Sequence, residues 1–124
     1  MSRTLLEASF AALNARDWET FAALLTPDVR YEVPQTGEVV RGPANVAAFN
    51  RKFPGAWSTQ VRRALADDAL GMAEIVFRDG EGTQRAVVVH EYRDGLIARI
   101  TDYWPDPYDP PAFRAGWPEI EREE

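Results

Sequence analysis

The chain has 124 residues, no cysteine, one histidine and a formal net charge of -6 at pH 7. This length allows one domain with one core, which we expect to span residues 1–124. The lack of cysteine excludes disulfides and zinc-thiolate sites, and a single histidine excludes a multi-histidine metal site within one chain. The acidic balance argues against nucleic acid or an anionic membrane surface as the main partner.

The N-terminal part of the sequence predicts two helices. Thr4 and Glu7 fit a capping box at the start of a helix over residues 4–15, in which apolar residues recur at helical spacing. Asp17 is a suitable cap for a second, short helix. The predicted apolar face of that second helix consists of Trp18, Phe21 and Leu25.

A strand, a short strand and a third helix are predicted next. Residues 28–33 alternate between polar and apolar, which is typical of a half-buried strand, and residues 38–41 form a short strand after a turn. Gly42-Pro43 opens a helix, because proline suits the first helical position. The predicted buried stripe of this helix consists of Val46, Phe49 and Phe53.

The sequence from Trp57 to Trp104 is strand-like throughout. Segments 57–66, 69–78, 84–93 and 96–104 are separated by turn-forming Asp and Gly residues, which predicts a meander of antiparallel hairpins. Three helices followed by a meander indicate the α+β class. The run of valines at 87–89 puts apolar groups on both faces of one strand. Either one valine is scattered surface or, as we expect, a second subunit covers the outer face and makes a homodimer.

Six short motifs are distributed over residues 4–104: Leu13–Asp17, Pro27–Tyr31, Pro34, Arg41–Pro43, Asp94–Ile97 and Asp102–Trp104. In their order and spacing they resemble the nuclear transport factor 2-like superfamily and especially its SnoaL-like branch, which is related to polyketide cyclases and ketosteroid isomerases. The resemblance implies a cone, in which a strongly bent, mostly antiparallel sheet wraps around three N-terminal helices and encloses an apolar pocket. Members include isomerases, cyclases, hydrolases, dehydratases and non-catalytic binding modules, so the fold does not fix the function.

The catalytic residues of the ketosteroid isomerases do not carry over to this sequence. The position of the isomerase's catalytic aspartate is Val33, that of its oxyanion tyrosine is about Ser9, and that of its protonated aspartate is His90. Isomerisation by that mechanism is therefore not expected. The Asp-Arg-Asp pattern of the hydrolases does not align either. The aspartate that SnoaL-like cyclases carry on the last strand has one match here, at Asp102.

Asp102 and His90 are the candidate catalytic residues. Strand alternation places Asp102 on one face with Ile100 and Trp104, where desolvation would raise its pKa and suit it to acid-base work. The alternative is a structural ion pair between Asp102 and Arg62 or Arg63. A three-residue loop at residues 93–95 would put His90 on the same face, whereas a two-residue loop at Asp94-Gly95 would put Glu91 there; the family alignment favours His90.

The expected ligand is a small hydrophobic molecule that carries an oxygen. The candidate ligand-binding residues are Tyr31, Val33, Phe49, Phe53, Trp57, Ile75, Ile100 and Trp104. No cofactor is expected, because the glycines occur at turns and form no phosphate-binding loop, and no metal is expected, because the chain has no cysteine and one histidine. Two functions stay open: a cofactor-independent isomerase, cyclase, dehydratase or hydrolase, or a non-catalytic binding or dimerisation module.

The Pro-rich tail, residues 105–124, is expected to pack across the pocket mouth or onto a partner subunit, since Phe113 and Trp117 are large and apolar. Residues 119–124 are mostly charged and are expected to fray. The sequence shows no signal peptide at its start and no apolar run long enough for a membrane span, so we expect a cytoplasmic protein that binds neither membranes nor nucleic acid.

Overall fold

Three helices and a six-stranded sheet make up the computed structural model, which describes residues 2–123. The helices are α1 (Ser2–Ala15), α2 (Trp18–Ala23) and α3 (Pro43–Arg51). The strands are β1 (Leu25–Val33), β2 (Glu38–Arg41), β3 (Ser58–Ala66), β4 (Leu70–Arg78), β5 (Thr83–Arg93) and β6 (Leu96–Tyr103). The predicted α+β class and the meander from β3 to β6 are confirmed.

The sheet has the strand order β2-β1-β6-β5-β4-β3. Neighbouring strands are antiparallel except β1 and β6, which are parallel. The sheet curls around the helices without closing, as in the cone predicted from the family resemblance. Its inner face packs against α1, α2 and α3 and carries the buried core, which includes Leu6, Phe21 and Val46.

The start of the first helix differs from the prediction, and the start of the second agrees with it. α1 begins at Ser2, so Thr4 and Glu7 lie inside the helix and the predicted capping box is wrong. Glu7 instead forms an ion pair with Arg3, one turn earlier. The predicted cap of α2 is present, since the Asp17 carboxylate accepts a hydrogen bond from the Thr20 backbone N–H at 3.2 Å.

Other differences concern residues that lie just beyond a helix or strand boundary. Leu25 belongs to β1, where it is buried, and not to the apolar face of α2. β1 therefore starts before residue 28 and includes Pro27, which lies where the register with β6 is irregular and a backbone N–H is not needed. Phe53 lies beyond the end of α3 at Arg51 and is 36% exposed, so it does not belong to a buried stripe.

The tail does not cover the cone within one chain. Tyr108, Phe113 and Trp117 are exposed, and apart from a short 3-10 turn at Ala112–Arg114 the described tail residues, 105–123, have no regular structure. The expectation that the tail lies across the pocket mouth is wrong for the single chain. Packing of the tail on a partner subunit stays a prediction. None of the helices within residues 2–123 has the length and apolar character that a membrane crossing requires.

Candidate functional site

A cavity of about 40 Å³ lies between the inner face of the sheet and the helices. A buried water needs roughly 10 to 15 Å³ of such space, so the cavity has room for a few water molecules. Eight of the ten candidate site residues line it: Tyr31, Phe53, Trp57, Ile75, His90, Ile100, Asp102 and Trp104. The side chains around the two ionisable groups are therefore mostly aromatic or aliphatic.

The other two candidates, Val33 and Phe49, lie outside this cavity. They line a separate groove of about 240 Å³ on the side of β1 and β2. Four aromatic residues line both spaces: Tyr31, Phe53, Phe77 and Trp104. These four side chains, which we call the aromatic partition, separate the inner cavity from the outer groove.

The aromatic partition is held together by edge-to-face contacts. The Phe77 ring centroid lies 5.3 Å from that of Trp104 and 6.3 Å from that of Phe53, with interplanar angles of 84° and 69°. Phe49 packs behind Phe53 and Tyr31 at 5.4 and 5.1 Å. Phe53 is the partition's most exposed member, which makes it the ring that can move with the smallest loss of packing.

Asp102 is buried on the inner face of β6, where two side chains donate hydrogen bonds to it. The Tyr31 hydroxyl and the Trp104 indole N–H, the latter at 3.4 Å, both donate to Oδ2. Burial raises the pKa of Asp102 to about 6, and the two hydrogen bonds act in the opposite direction. Among residues 2–123, no arginine or lysine forms an ion pair with Asp102.

The alternative of a structural tie between Asp102 and an arginine is therefore wrong. Arg62 and Arg63 both pair with Glu74, at 3.6 and 2.7 Å. Glu74 lies on the outer face of β4, opposite the cavity, where it is flanked by Arg85 as well. The two arginines of β3 point away from the cavity because the register of β3 changes between Val61 and Arg63.

The loop of the last hairpin decides which side chain of β5 faces the cavity. Arg93 pairs with Leu96, so the loop consists of Asp94 and Gly95 alone, which is the two-residue alternative. Asp94 has a φ of 54° and Gly95 one of 76°. Two successive positive φ angles are typical of a type I′ turn, which fits the twist of a hairpin.

A β-bulge nevertheless brings His90 to the inner face. The register changes between Glu91 and Tyr92, where β6 contains one extra residue, Ala98. Beyond this bulge His90 pairs with Ile100, which also lines the cavity. His90 is buried there and Glu91 is exposed. His90 thus reaches the cavity by a shift in β6 and not by a longer loop.

His90 is held by an aromatic ring on one side and a hydroxyl on another. Its imidazole stacks on Phe10 with ring centroids 6.1 Å apart and an interplanar angle of 10°. Nδ1 lies 3.2 Å from the hydroxyl of Tyr92. Burial lowers the pKa of His90 to about 4, so the ring is neutral at pH 7. A carboxylate at Asp102 and a neutral imidazole at His90 are the forms present at that pH.

Two of the three positions that correspond to isomerase residues, Ser9 and Val33, hold no equivalent chemistry. Ser9 lines the cavity, but its hydroxyl donates to the Leu6 carbonyl at 2.7 Å within α1. Val33 is an apolar wall of the outer groove. The carboxylate of this site therefore lies on β6, the last strand along the chain, and not on β1, the first.

Sequence reasoning missed several residues around the site, and four of them bear on its chemistry or shape. Phe10, Asn50 and Thr59 line the cavity, and Tyr92 contacts His90 from behind. Tyr92 could have been found by strand alternation, since it follows His90 by two residues. Thr59 could not, because its place depends on how β3 curls over α1, where Asn14 and Thr59 exchange hydrogen bonds. Within residues 2–123 no group of three or more His, Asp or Glu side chains is arranged to hold a metal ion.

Comparison with known proteins agrees with the fold. The model of the SnoaL-like domain matches residues 6–100. The chain belongs to the SnoaL-like domain family. A comparison with curated proteins gave no match.

Similar solved structures carry several kinds of description. A candidate ketosteroid isomerase from Kribbella flavida is 43% identical, with a TM-score of 0.90 over 98% of this chain and 89% of that one. A candidate polyketide cyclase from Xanthomonas campestris is 26% identical, with a TM-score of 0.70 over 83% of this chain and 89% of that one. An epoxide hydrolase from M. tuberculosis is 27% identical, with a TM-score of 0.68 over 82% and 80%. SnoaL-like relatives thus span several reaction classes.

Proposed function

We propose that this protein binds a small, largely apolar molecule that carries an oxygen atom, and that it transforms this molecule by cofactor-independent acid-base chemistry. Asp102 exchanges a proton with the substrate, and His90 binds the oxygen at which charge develops. The observation that carries the proposal is the position of Asp102, which is buried among aromatic rings with hydrogen-bond donors and without a cation.

The surroundings of Asp102 suit a general base near neutral pH. A carboxylate with a pKa of about 6 is ionised at pH 7 yet is a stronger base than an exposed aspartate. Its second oxygen, Oδ1, has no described hydrogen-bond donor, whereas Oδ2 accepts from both Tyr31 and Trp104. Oδ1 is therefore the atom that we assign to proton transfer.

His90 complements Asp102 because it is neutral and lies on the adjacent strand. A neutral imidazole donates one hydrogen bond and accepts one, and it adds no positive charge that would stabilise the Asp102 carboxylate and weaken it as a base. In a water-poor site, a fixed donor at the developing oxyanion lowers the reaction barrier. Asp102 thus transfers the proton, and His90 stabilises the negative charge that develops on the substrate oxygen.

The small cavity restricts what can bind in the state described. Cavities for drug-sized ligands have roughly 300 to 1,000 Å³, whereas the inner cavity has about 40 Å³. A larger substrate requires the aromatic partition to open, which joins the cavity to the outer groove of about 240 Å³. Phe53 is the residue we expect to move.

The position of the carboxylate determines where the base of the proposed reaction lies. The candidate ketosteroid isomerase from Kribbella flavida supports proton transfer beside a carbonyl as the chemistry, but Val33 cannot act as a base in this chain. We therefore place the base on β6, which fits an isomerase, a cyclase, a dehydratase or a hydrolase that works through Asp102.

A homodimer through the outer face of the sheet is part of the proposal. Leu65 is 81% exposed, and Met72, Val87 and Tyr103 on neighbouring strands are also exposed. Leu65 pairs with Met72, Val87 pairs with Tyr103, and Val89 joins the two pairs because it pairs with Met72 and lies two residues from Val87 on β5. We call these five residues, which border the ion-paired Glu74, the outer patch. A contiguous exposed patch on a sheet is typical of a protein interface.

A non-catalytic binding module is the second candidate function. The small enclosed cavity and the absence of the isomerase residues favour it. Under this alternative, ligand binding would depend on shape and on His90 and Asp102 as hydrogen-bond partners, without proton transfer.

A ligand screen with two matched variants tests the proposal. Small ketones, enones, lactones and epoxides are added to the protein, binding is followed by NMR, and turnover by product analysis. We expect a ligand that shifts the His90 and Trp104 signals and is converted by the wild type and by Glu32→Gln, but not by Asp102→Asn. Glu32 is a suitable control because it is a carboxylate on the outer face of β1. Conversion that persists in Asp102→Asn would refute the catalytic role.

A further inference from the structure

Tyr92 stands behind His90 on the same face of β5. The two residues are separated by one position, and their rings meet edge to face with centroids 5.7 Å apart and an interplanar angle of 83°. The hydroxyl of Tyr92 lies 3.2 Å from His90 Nδ1. His90 lines the inner cavity but Tyr92 does not. The partner of Nδ1 is therefore a residue that does not line the cavity.

The place of Tyr92 depends on a glycine in the neighbouring strand. Gly71 of β4 pairs with His90. A Cβ atom at residue 71 would lie 3.0 Å from two carbons of the Tyr92 ring and closer still to its hydroxyl. The Tyr92 ring therefore occupies the space that any side chain at residue 71 would need. Phe10 stacks on the imidazole from α1 and fixes its plane.

The chemistry of the two groups decides which of them donates the hydrogen bond. Burial raises the pKa of Tyr92 to about 12, so its hydroxyl keeps its proton. The buried imidazole is neutral and has one ring nitrogen without a proton. A phenol is a good donor, and an imidazole nitrogen is a good acceptor. The favoured arrangement is thus O–H donating to Nδ1, which leaves the proton of the ring on Nε2.

We propose that Tyr92 is a positioning residue that fixes the Nε2–H tautomer of His90, so that the inner cavity presents a hydrogen-bond donor at His90 beside the carboxyl group of Asp102. This arrangement selects ligands with an acceptor oxygen, such as a carbonyl, next to a hydroxyl or an acidic C–H. The ligand class rests on the proposed function, whereas the tautomer itself does not.

The tautomer can be read directly because the chain has one histidine. In protein labelled with 15N, long-range correlations from the two imidazole carbon-bound protons identify the protonated and the unprotonated nitrogen. We expect an unprotonated Nδ1 and a protonated Nε2 in the ligand-free wild type at pH 7. Protonated Nδ1 in the wild type would overturn the proposal.

Two variants and one control separate positioning from general stability. Tyr92→Phe keeps the ring and removes the hydroxyl, and Gly71→Ala keeps the hydroxyl and displaces the ring; we expect both to shift the population toward Nδ1–H. Tyr103→Phe removes a hydroxyl on the outer face and should leave the tautomer unchanged. An unchanged Nε2–H population in folded Tyr92→Phe would show that Tyr92 does not set the tautomer.

Ligand binding gives a separate readout. Cyclopentanone and methylenecyclopentane have similar shapes, but the ketone alone has a strong acceptor. We expect Tyr92→Phe to weaken cyclopentanone binding several-fold and to leave methylenecyclopentane binding unchanged. A wild-type protein with Nε2–H that binds the ketone no better than the alkene would contradict the proposed ligand class and leave the tautomer assignment in place.

Discussion

His90 and Asp102 lie on the same face of the neighbouring strands β5 and β6. His90 pairs with Ile100, and Asp102, two residues after Ile100, pairs with Val88. The two ionisable side chains therefore share the inner face, and no direct hydrogen bond between them is described. Burial raises the pKa of Asp102 to about 6 and lowers that of His90 to about 4. Between these values both groups are neutral, and above pH 6 Asp102 alone is charged.

The stability of Asp102→Asn should depend on pH in a defined way. The folded pKa of Asp102 is raised from 3.8, so the folded state binds the proton more tightly and the wild type loses stability as pH rises from about 4 to about 6. Asn has no such charge. We expect the variant's stability relative to the wild type to rise by up to about 3 kcal/mol over this range. Urea unfolding at pH 4 and pH 7 measures the change.

Glu32→Gln is the matched control for that measurement and should give the opposite sign. Burial alone would raise the pKa of Glu32, but hydrogen bonds from Arg30, Arg99 and Thr101 lower it overall. A lowered folded pKa stabilises the wild type above the unfolded pKa, and this contribution is lost as pH falls. The variant should therefore lose stability relative to the wild type as pH rises. Equal pH dependence in both variants would contradict the assigned environments.

Tyr31→Phe should raise the pKa of Asp102 further. The Tyr31 hydroxyl stabilises the carboxylate form by donating to Oδ2, and its loss favours the protonated acid. At pH 7 we expect a stability loss of about 2 kcal/mol, since the lost hydrogen bond involves a charged group. The loss should shrink at pH 4. Thermal melting at both pH values, with Tyr103→Phe as control, checks this.

Phe53→Ala should open the cavity at little cost in stability. Phe53 is partly exposed, so its truncation should cost less than the roughly 3 to 5 kcal/mol typical of a buried phenylalanine. Removal of this ring joins the inner cavity to the outer groove. Faster or tighter binding of larger ligands is expected in NMR titrations, and Phe113→Ala in the exposed tail should change nothing. Loss of all ligand binding in folded Phe53→Ala would argue against the aromatic partition as a gate.

Leu65→Glu should dissociate the proposed homodimer. Leu65 lies on the edge strand β3 and is the most exposed residue of the outer patch, so a glutamate there would place a charge in the buried interface. Sedimentation at micromolar concentration should give twice the chain mass for the wild type and one chain mass for the variant. Val39→Glu, on the distant strand β2, is the control and should stay dimeric. A monomeric wild type would remove the proposed interface.

Local sequence patterns were sufficient for most of the fold. The alternation in residues 28–33 and the turn at Asp94-Gly95 predicted β1 and the last hairpin, because strand period and turn chemistry are local properties. Boundaries were harder. Leu25 and Phe53 fit a helical apolar stripe, but the chain leaves the helix before each of them, and the core then accommodates them as strand and loop residues.

The position of the candidate site depends on features that local sequence patterns do not indicate. The extra residue Ala98 in β6 turns His90 toward the cavity, and an alanine in an apolar strand does not indicate a bulge. The partner of Asp102 is Tyr31, which is 71 positions away along the chain, and no local pattern joins them. Asp102 itself was predicted as a site residue because a carboxylate in an apolar strand is costly to bury unless it has a partner or a function.

Titration of the Asp102 carboxyl group is the most direct test of the central claim, which is that this residue is a buried acid-base group near neutral pH. The carboxyl carbon is followed by NMR from pH 3 to pH 8 in 13C-labelled protein, and its signal is assigned by its loss in Asp102→Asn. The account predicts an apparent pKa of about 6, which rises in Tyr31→Phe. A pKa of about 4 or lower, unchanged in Tyr31→Phe, would contradict it.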